Sequence, residues 1–212
     1  MKYPNISLLA GVGLIIVTTC AEAGKDAKLE NPLTAKAKVA LSDSFDGKAL
    51  AKKWTANKGD WQINDGAIVG KELASDKHAA VLTLGEPNKD SVIQFSFNLD
   101  GAKGFNLSFN HAKGHLFRVL INPDGVVVNK DKDKKDPKSE TLKLGEAKGA
   151  FAKGQWHTIQ VTVRGGDVLV KADNGIDVHA SHAGLNVAKT GYRFVTRGES
   201  VLIDDLTVWR LK

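Results

Sequence analysis

Two histidines flank a glycine-containing turn in the stretch HAKGH, at His111 and His115. Imidazole titrates near neutral pH, so a histidine beside a substrate can act as a general base or acid. Four residues of straight strand span about 13 Å, but across a turn the two rings could approach, with His78 joining them. Two histidines without an assigned third ligand are a weak metal signal, so we predict no metal ligands. We predict His115 and His78 as the catalytic acid or base; an ordinary polar hairpin end is the alternative.

A second group of side chains could form hydrogen bonds with a polar ligand. The stretches SVIQFSFNLDG, from residue 91, and GFNLSFN, from residue 104, alternate apolar residues with uncharged polar ones. Amides and hydroxyls both donate and accept hydrogen bonds, which suits sugars, whereas a merely solvated face would more often carry Lys or Glu. If the two strands are neighbours, they form one polar floor with His115 and His78 at its rim; otherwise a loop covers this face. The predicted ligand-binding residues are Gln94, Asn98, Asn106, Asn110 and Arg118.

Short strands must carry these side chains, because alternation and turn signals continue from Val39 to the end of the chain. Hairpins are indicated by WQINDGAIVG, HLFRVLINPDGVVV and HTIQVTVRGGDVLVKA, where Asp-Gly, Asn-Pro-Asp-Gly and Gly-Gly favour tight turns. We count about ten to twelve strands with turn signals every 8–12 residues, a rhythm typical of a sandwich or barrel. No stretch has a sustained helical period. The sequence therefore predicts an all-β domain over residues 39–212.

Two stretches rich in acidic residues allow further structural predictions. NKDKDKKDPKSE, residues 129–140, lacks the glycine and glutamate spacing of an EF-hand, and we predict a solvated loop. In VLIDDLTVW, strict alternation places Asp204 on the same face as the apolar Leu202 and Leu206. A carboxylate there must be paired, or the strand must bulge.

Residues 1–23 have the pattern of a secretory signal peptide. Lys2 precedes the apolar run ISLLAGVGLIIV, and AEA at 21–23 supplies the small residues of a cleavage site. Cleavage after Ala23 predicts a secreted or periplasmic protein with no transmembrane segment in the mature chain, while lipid attachment at Cys20 is the alternative. Residues 24–38 are polar and aperiodic, and we predict a flexible tether.

The formal net charge of +6 comes mostly from dispersed lysines interleaved with aspartates. A nucleic-acid-binding protein would show clustered Lys and Arg with aromatic residues between them. We therefore predict no nucleic-acid partner, and the oligomeric state stays open.

Two stretches carry a resemblance to known families. WHTIQVTVRGGDVLVKADNG resembles the paired strands of concanavalin-like lectin/glucanase jelly rolls. DSFDGKALAKKWTANKGDWQINDGAIVG is similar to the start of the 3-keto-disaccharide hydrolase domain family, which is related to family 16 glycoside hydrolases. The resemblance covers about residues 39–212. It implies a jelly-roll β-sandwich of two antiparallel sheets that acts on or binds carbohydrate.

The resemblance also sets expectations about chemistry. Related glucanases carry E-x-D-x-E on one strand, and this sequence has no such run, so two-carboxylate hydrolysis is not expected. A 3-keto sugar needs only one base, because its ketone acidifies the neighbouring C–H bond. A non-catalytic carbohydrate-binding or structural envelope module is the alternative. Jelly rolls of this type often hold a structural calcium, for which Asp43 or Asp46 with Asp205 could supply oxygens, but the sequence assigns no cofactor.

Overall fold

The computed structural model describes residue 25 and residues 27–212; the predicted signal peptide and Cys20 lie outside this part of the chain. Three short 3-10 helices span Thr34–Lys36, Ala74–Asp76 and Ala183–Leu185. Within the described residues, no helix has the length and apolar character needed to cross a bilayer. The strands, in chain order, are β1 (Lys38–Asp43), β2 (Trp54–Lys58), β3 (Asp60–Asn64), β4 (Ala67–Lys71), β5 (Ala80–Leu84), β6 (Ser91–Asn98), β7 (Ala102–His111), β8 (Gly114–Asn122), β9 (Gly125–Lys130), β10 (Leu142–Lys148), β11 (Trp156–Arg164), β12 (Asp167–Ala172), β13 (Asp177–Ser181), β14 (Gly191–Gly198) and β15 (Val201–Arg210).

These strands form two antiparallel sheets. Sheet A has the order β13-β12-β11-β6-β15-β4-β3, and β1 also pairs with β15. Sheet B has the order β10-β9-β8-β7-β14-β5-β2. The predicted all-β sandwich of two antiparallel sheets is therefore confirmed.

The core lies between the two sheets and is built by the alternation seen in the sequence. Phe95 of sheet A packs edge-on against Phe105 and Phe194 of sheet B, with ring centroids 6.0 and 5.3 Å apart. All three side chains are fully buried. Aromatic pairs in this geometry add about 0.5–1.5 kcal/mol beyond the area that they bury, so these rings hold the sheets together.

Asp204 in the last strand is accommodated by both of the predicted means. The pairing of β15 with β6 shifts register between Asp204 and Thr207, and Asp205 adopts a positive φ of 46°. Asp204 is buried, accepts the amide hydrogen of Asp205, and forms an ion pair with Lys25 at 2.6 Å. The carboxylate is thereby neutralised, and the bulge lets the strand resume its alternation.

Within the predicted tether, residues 24–38, the part that we call the N-terminal segment, residues 27–36, contacts the outer face of sheet A. Asn31 donates from its amide nitrogen to Gln160 and Thr162, each at 2.8 Å. Gln160 in turn donates to the carbonyl of Leu29 at 3.0 Å. Gln160 and Thr162 are buried beneath this segment, so the chain itself satisfies outward polar groups of β11.

Glu86, in the loop between β5 and β6, links the two sheets through charge. The carboxylate is buried and pairs with Lys53, which precedes β2, and with Arg210 of β15. Burial raises the pKa of Glu86, but hydrogen bonds and attraction from Lys53 and Arg210 outweigh burial and hold the pKa below its ordinary 4.5. Because the folded pKa is lowered, the pairs stabilise the fold fully above pH 4.5, and this contribution is lost as pH falls through the folded pKa.

We expect Glu86→Gln to lower the free energy of unfolding by about 1–3 kcal/mol at pH 7, since two charge-assisted hydrogen bonds lose their charge. Urea unfolding at pH 7 and at pH 3 should show that the deficit shrinks on acidification. Glu146→Gln is the matched control: Glu146 is exposed, pairs only with Lys143, and should change stability by less than about 0.5 kcal/mol. A deficit that grew at pH 3 would contradict this account.

Candidate functional site

The residues predicted to form one polar floor lie on opposite sides of the sandwich. Gln94 and Asn98 belong to β6 in sheet A, whereas Asn106, Asn110 and Arg118 belong to β7 and β8 in sheet B. Apolar neighbours face the core in both sheets, so the polar sets point outward in opposite directions. The expectation of a shared floor is wrong, because the connection between β6 and β7 crosses from one sheet to the other instead of forming a hairpin.

The sheet A half of the predicted floor is partly covered by the N-terminal residues of the protein itself, although Gln94 and Ser96 still line a cavity of about 210 Å³. Gln94 accepts a hydrogen bond from Gln160 at 3.0 Å, and Gln160 is held by the N-terminal segment. Ser96 donates to the carbonyl of Lys25, and Asn98 is buried. The sheet A half therefore agrees with the alternative prediction, in which a neighbouring piece of chain covers the polar face.

The sheet B half borders a cavity of about 470 Å³, which we call the His115 cavity. It lies over β8 and β14, between the β7–β8 turn and the loop that joins β9 to β10. The loop provides one wall and the turn provides another. The lining residues are His111, Lys113, Gly114, His115, Arg118, Asp131, Lys132, Asp133, Lys134, Thr141 and Arg193.

A polar row crosses sheet B at the level of this cavity. Arg193 of β14, Ser108 of β7 and Arg118 of β8 are direct cross-strand neighbours, and the row continues to Asn129 of β9. Ser108 is fully buried, and its hydroxyl has no hydrogen-bond partner in the described part of the chain. Asn106 lies in the next row, between the half-buried Val195 and Leu120, and does not line the cavity.

Arg118 is held by an ion pair with the loop. Its Nε donates to Asp131 Oδ2 at 3.1 Å, and its Nη2 donates to Oδ1. Asp131 is buried, and its backbone amide donates to the carbonyl of Leu116 at 2.9 Å. The prediction of a solvated loop is therefore wrong for Asp131, because this carboxylate anchors the loop to β8 and orients the arginine.

His115 is held in a defined orientation at the cavity edge. Its Nδ1 lies 2.9 Å from the amide oxygen of Asn110, the cross-strand partner. An amide oxygen can only accept, so Nδ1 carries the proton and Nε2 of the neutral ring is left as the acceptor. Burial lowers the pKa of His115, and the charges of Arg193, Arg118 and Lys134 lower it further, although Asp131 opposes them. The ring is therefore neutral near pH 7 and able to accept a proton.

His78 does not join His115. His78 is exposed, its Nδ1 hydrogen-bonds the neighbouring Ala79 carbonyl, and it precedes β5. Ala80 of β5 pairs with Thr196, while the level of His115 corresponds to Gly191, five residues along β14. Those two levels are roughly 17 Å apart, so the predicted histidines lie toward opposite ends of sheet B.

The candidate calcium ligands Asp43 and Asp46 are engaged by other residues of the protein. Among residues 25 and 27–212, no group of three or more His, Cys, Asp or Glu side chains is arranged to hold a metal ion. Both oxygens of Asp43, one of the suggested calcium ligands, accept hydrogen bonds, from the Phe45 amide and from Trp54 Nε1. Asp46 accepts from Ser44 at 2.6 Å. These contacts give Asp43 and Asp46 structural roles in the β1–β2 connection.

The carboxylates of the His115 cavity are also not a hydrolytic pair. Asp131 is bound to Arg118, and Asp133 is exposed and accepts the amide hydrogen of Lys135 at 2.9 Å. No glutamate is among the lining residues of the described cavity. Both retaining and inverting glycosidases need two carboxylates that face one substrate, so the cavity does not fit that chemistry.

Sequence reasoning missed Arg193 and Asp131, two of the charged groups that shape the cavity. In GYRFVTR, Tyr192 and Phe194 alternate with Arg193, which predicts that this arginine points outward, and Tyr192 and Phe194 are indeed buried. That signal was available. The burial of Asp131 was not readable, because it depends on Arg118 lying opposite in the adjacent strand.

The two stacked antiparallel sheets define a jelly-roll β-sandwich, and solved structures share this fold. Porphyranase B from Zobellia galactanivorans has a TM-score of 0.64 and 12% identity, covering 90% of this chain and 99% of its own. The laminarinase from Rhodothermus marinus has a TM-score of 0.62 and 11% identity, covering 83% and 98%. The CBM66 carbohydrate-binding module from Bacillus subtilis has a TM-score of 0.61 and 13% identity, covering 74% and 95%.

These similarities confirm the concanavalin-like jelly-roll fold that the sequence indicated. No protein-family model matches the chain, and no curated protein matches it in sequence. At 11–13% identity the shared property is the fold, so function must be argued from the cavity.

Proposed function

We propose that this chain is a carbohydrate-binding domain that holds a sugar in the His115 cavity. The observation that carries the proposal is a roughly 470 Å³ opening whose lining offers hydrogen-bond donors and acceptors on a rigid sheet. Arg118 and His115 are already oriented by Asp131 and Asn110, so little side-chain entropy is lost when a ligand binds. The fold supports the idea by analogy, since the similar structures include a carbohydrate-binding module and glycan-degrading enzymes.

Binding without hydrolysis is the reading that the charged groups favour. Of the two lining carboxylates, Asp131 is bound by Arg118 and Asp133 is bound by the loop backbone. The lining of the described cavity contains no other carboxylate. Export through the predicted signal peptide would give such a domain access to extracellular or periplasmic glycans.

Binding to a panel of immobilised polysaccharides, measured by affinity electrophoresis and titration calorimetry, tests this proposal. We expect Thr141→Trp to weaken binding at least tenfold, because Thr141 is exposed on the cavity rim and an indole there would fill the opening. Ala152→Trp is the matched control. Ala152 is also exposed, but its loop contacts the β8–β9 turn through Phe151, at the opposite end of β8 from His115.

Equal loss in both variants would mean that the added indole acts nonspecifically. Binding that survives Thr141→Trp unchanged would place the glycan elsewhere on the molecule, and no binding to any polysaccharide would refute the proposal. Thermal unfolding of each variant confirms that the fold is retained.

Single-base chemistry at His115 is the second candidate, and the Asn110–His115 hydrogen bond favours it. The resemblance to 3-keto-disaccharide hydrolases implies a substrate whose ketone acidifies the adjacent C–H. His115 Nε2 would remove that proton, the electron pair would form a carbon–carbon double bond, and the glycosidic oxygen would leave and take up a proton. Addition of water to the double bond would complete hydrolysis. Only one base is required, which agrees with the separation of His78 from His115.

A further inference from the structure

The His115 cavity has a strong bias toward positive charge. Five of its eleven lining residues are Lys or Arg, and two are Asp. Asp131 neutralises Arg118, and Asp133 is exposed on the loop. Neutral sugar hydroxyls can accept hydrogen bonds from these side chains, but only an anionic ligand would also be attracted by the net positive charge of the cavity.

Arg193 is a cation of the cavity whose local bonding is incomplete. In the described part of the chain, Arg118, Arg197 and Arg210 form ion pairs, whereas Arg193 forms none, and neither does Arg164, which is outside the cavity lining. Its Nε is buried and has no hydrogen-bond partner. A buried donor is unfavourable while it stays unmatched, so a side-chain shift that brought the Arg193 guanidinium against a ligand oxygen would relieve that cost.

The geometry around Arg193 suits a bound anion. Arg193 and Arg118 flank Ser108 on adjacent strands, so their backbones are roughly 10 Å apart and Ser108 lies between them. Asp131 binds Arg118 on the side away from Arg193. Of these two guanidinium groups, Arg193 is therefore the one without a carboxylate partner in the described part of the chain. A guanidinium fork matches the paired oxygens of a carboxylate or sulfate, and Lys113, Lys132 and Lys134 surround the opening.

We propose that the His115 cavity selects an acidic sugar residue, one that carries a carboxylate or a sulfate ester, and that Arg193 binds the anionic group. This inference rests on the proposed function and adds the class of ligand. The lowered pKa of His115 agrees with it, since nearby positive charges contribute to that shift.

The experiment compares acidic polysaccharides with their neutral counterparts. Polygalacturonate and alginate would be tested beside their carboxyl-reduced forms, and κ-carrageenan beside its desulfated form, by titration calorimetry at low and high salt. We expect at least one acidic form to bind about 10- to 100-fold more tightly than its neutral counterpart, with the preference reduced by salt. The uronate and sulfate arms show which anion is preferred.

Arg193→Gln should abolish that preference, and Arg193→Lys should restore part of it, because lysine keeps the charge without the fork. Arg197→Gln is the matched control: Arg197 lies on β14 with the same outward orientation, pairs with Glu72, and is outside the cavity lining. It should change affinity by less than about twofold, since it lies on the surface.

Three outcomes would be decisive. A preference for acidic forms that disappears in Arg193→Gln but not in Arg197→Gln supports the inference. Equal or tighter binding of the neutral forms, or an acidic preference that survives Arg193→Gln in a folded protein, overturns the inference and leaves the carbohydrate-binding function standing. Absence of binding to every acidic and neutral polysaccharide overturns both.

Discussion

Phe194→Ala is expected to lower the free energy of unfolding by about 3–5 kcal/mol, the range for removing a fully buried aromatic ring. Phe194 is a fully buried residue of sheet B whose ring contacts aromatic rings of both sheets. Its ring centroid is 5.3 Å from that of Phe95, 5.6 Å from Trp54 and 6.2 Å from Phe105. Loss of the ring removes apolar burial and leaves a cavity that neighbours on two rigid sheets cannot close.

Urea unfolding followed by circular dichroism measures this loss. Val195→Ala is the control on the same strand, because Val195 faces outward and is only half-buried, and it should cost less than about 1.5 kcal/mol. Phe194→Leu should fall between the two. A Phe194→Ala deficit below that of Val195→Ala would show that the sheets are not held together as the ring contacts indicate.

The second large effect concerns His115 and applies to catalysis of 3-keto-sugar cleavage. If the second candidate function holds and the protein cleaves 3-keto-glucosides, we expect His115→Ala to reduce the rate of sugar release by about 100-fold or more, the usual contribution of a general base. The wild-type rate should fall on the acidic side with a midpoint below pH 6.5. The sign follows from the lowered pKa of His115, which keeps the base unprotonated to a lower pH than an ordinary histidine.

His179→Ala is the control for this experiment, since His179 is an exposed histidine of β13 on the other sheet. Its rate should match the wild type. Asn110→Ala should lower the apparent pKa of His115 or lower the rate. It should not abolish binding, because Asn110 orients the ring instead of touching the substrate. Cleavage that persists in a folded His115→Ala protein would rule out His115 as the base.

The location of the His115 cavity explains how one domain could serve either role. Its floor is formed by paired strands, and the register of those strands fixes the positions of Arg118, Ser108 and Arg193 relative to one another. Its wall is a loop anchored by Asp131, and changes in that loop would alter the ligand without disturbing the core.

Much of the fold was readable from local sequence. Alternation in SVIQFSFNLDG and GFNLSFN correctly separated core-facing residues such as Phe95 and Phe105 from outward ones, and turn residues marked the hairpins. The same reasoning correctly required a bulge or a partner for Asp204. Each of these conclusions depends on residues that are close together in the chain.

Other features depended on contacts between distant segments. Alternation showed that Gln94 and Asn106 face outward, but not that β6 and β7 lie in different sheets. The cover over Gln160 comes from Asn31, 129 residues earlier in the chain, and the burial of Asp131 requires Arg118 on a neighbouring strand. The sequence by itself determined which side chains leave the core, because side-chain alternation is a property of a single strand. Only the tertiary structure decided which of them meet at the His115 cavity, because strand order is set by the packing of the whole sandwich.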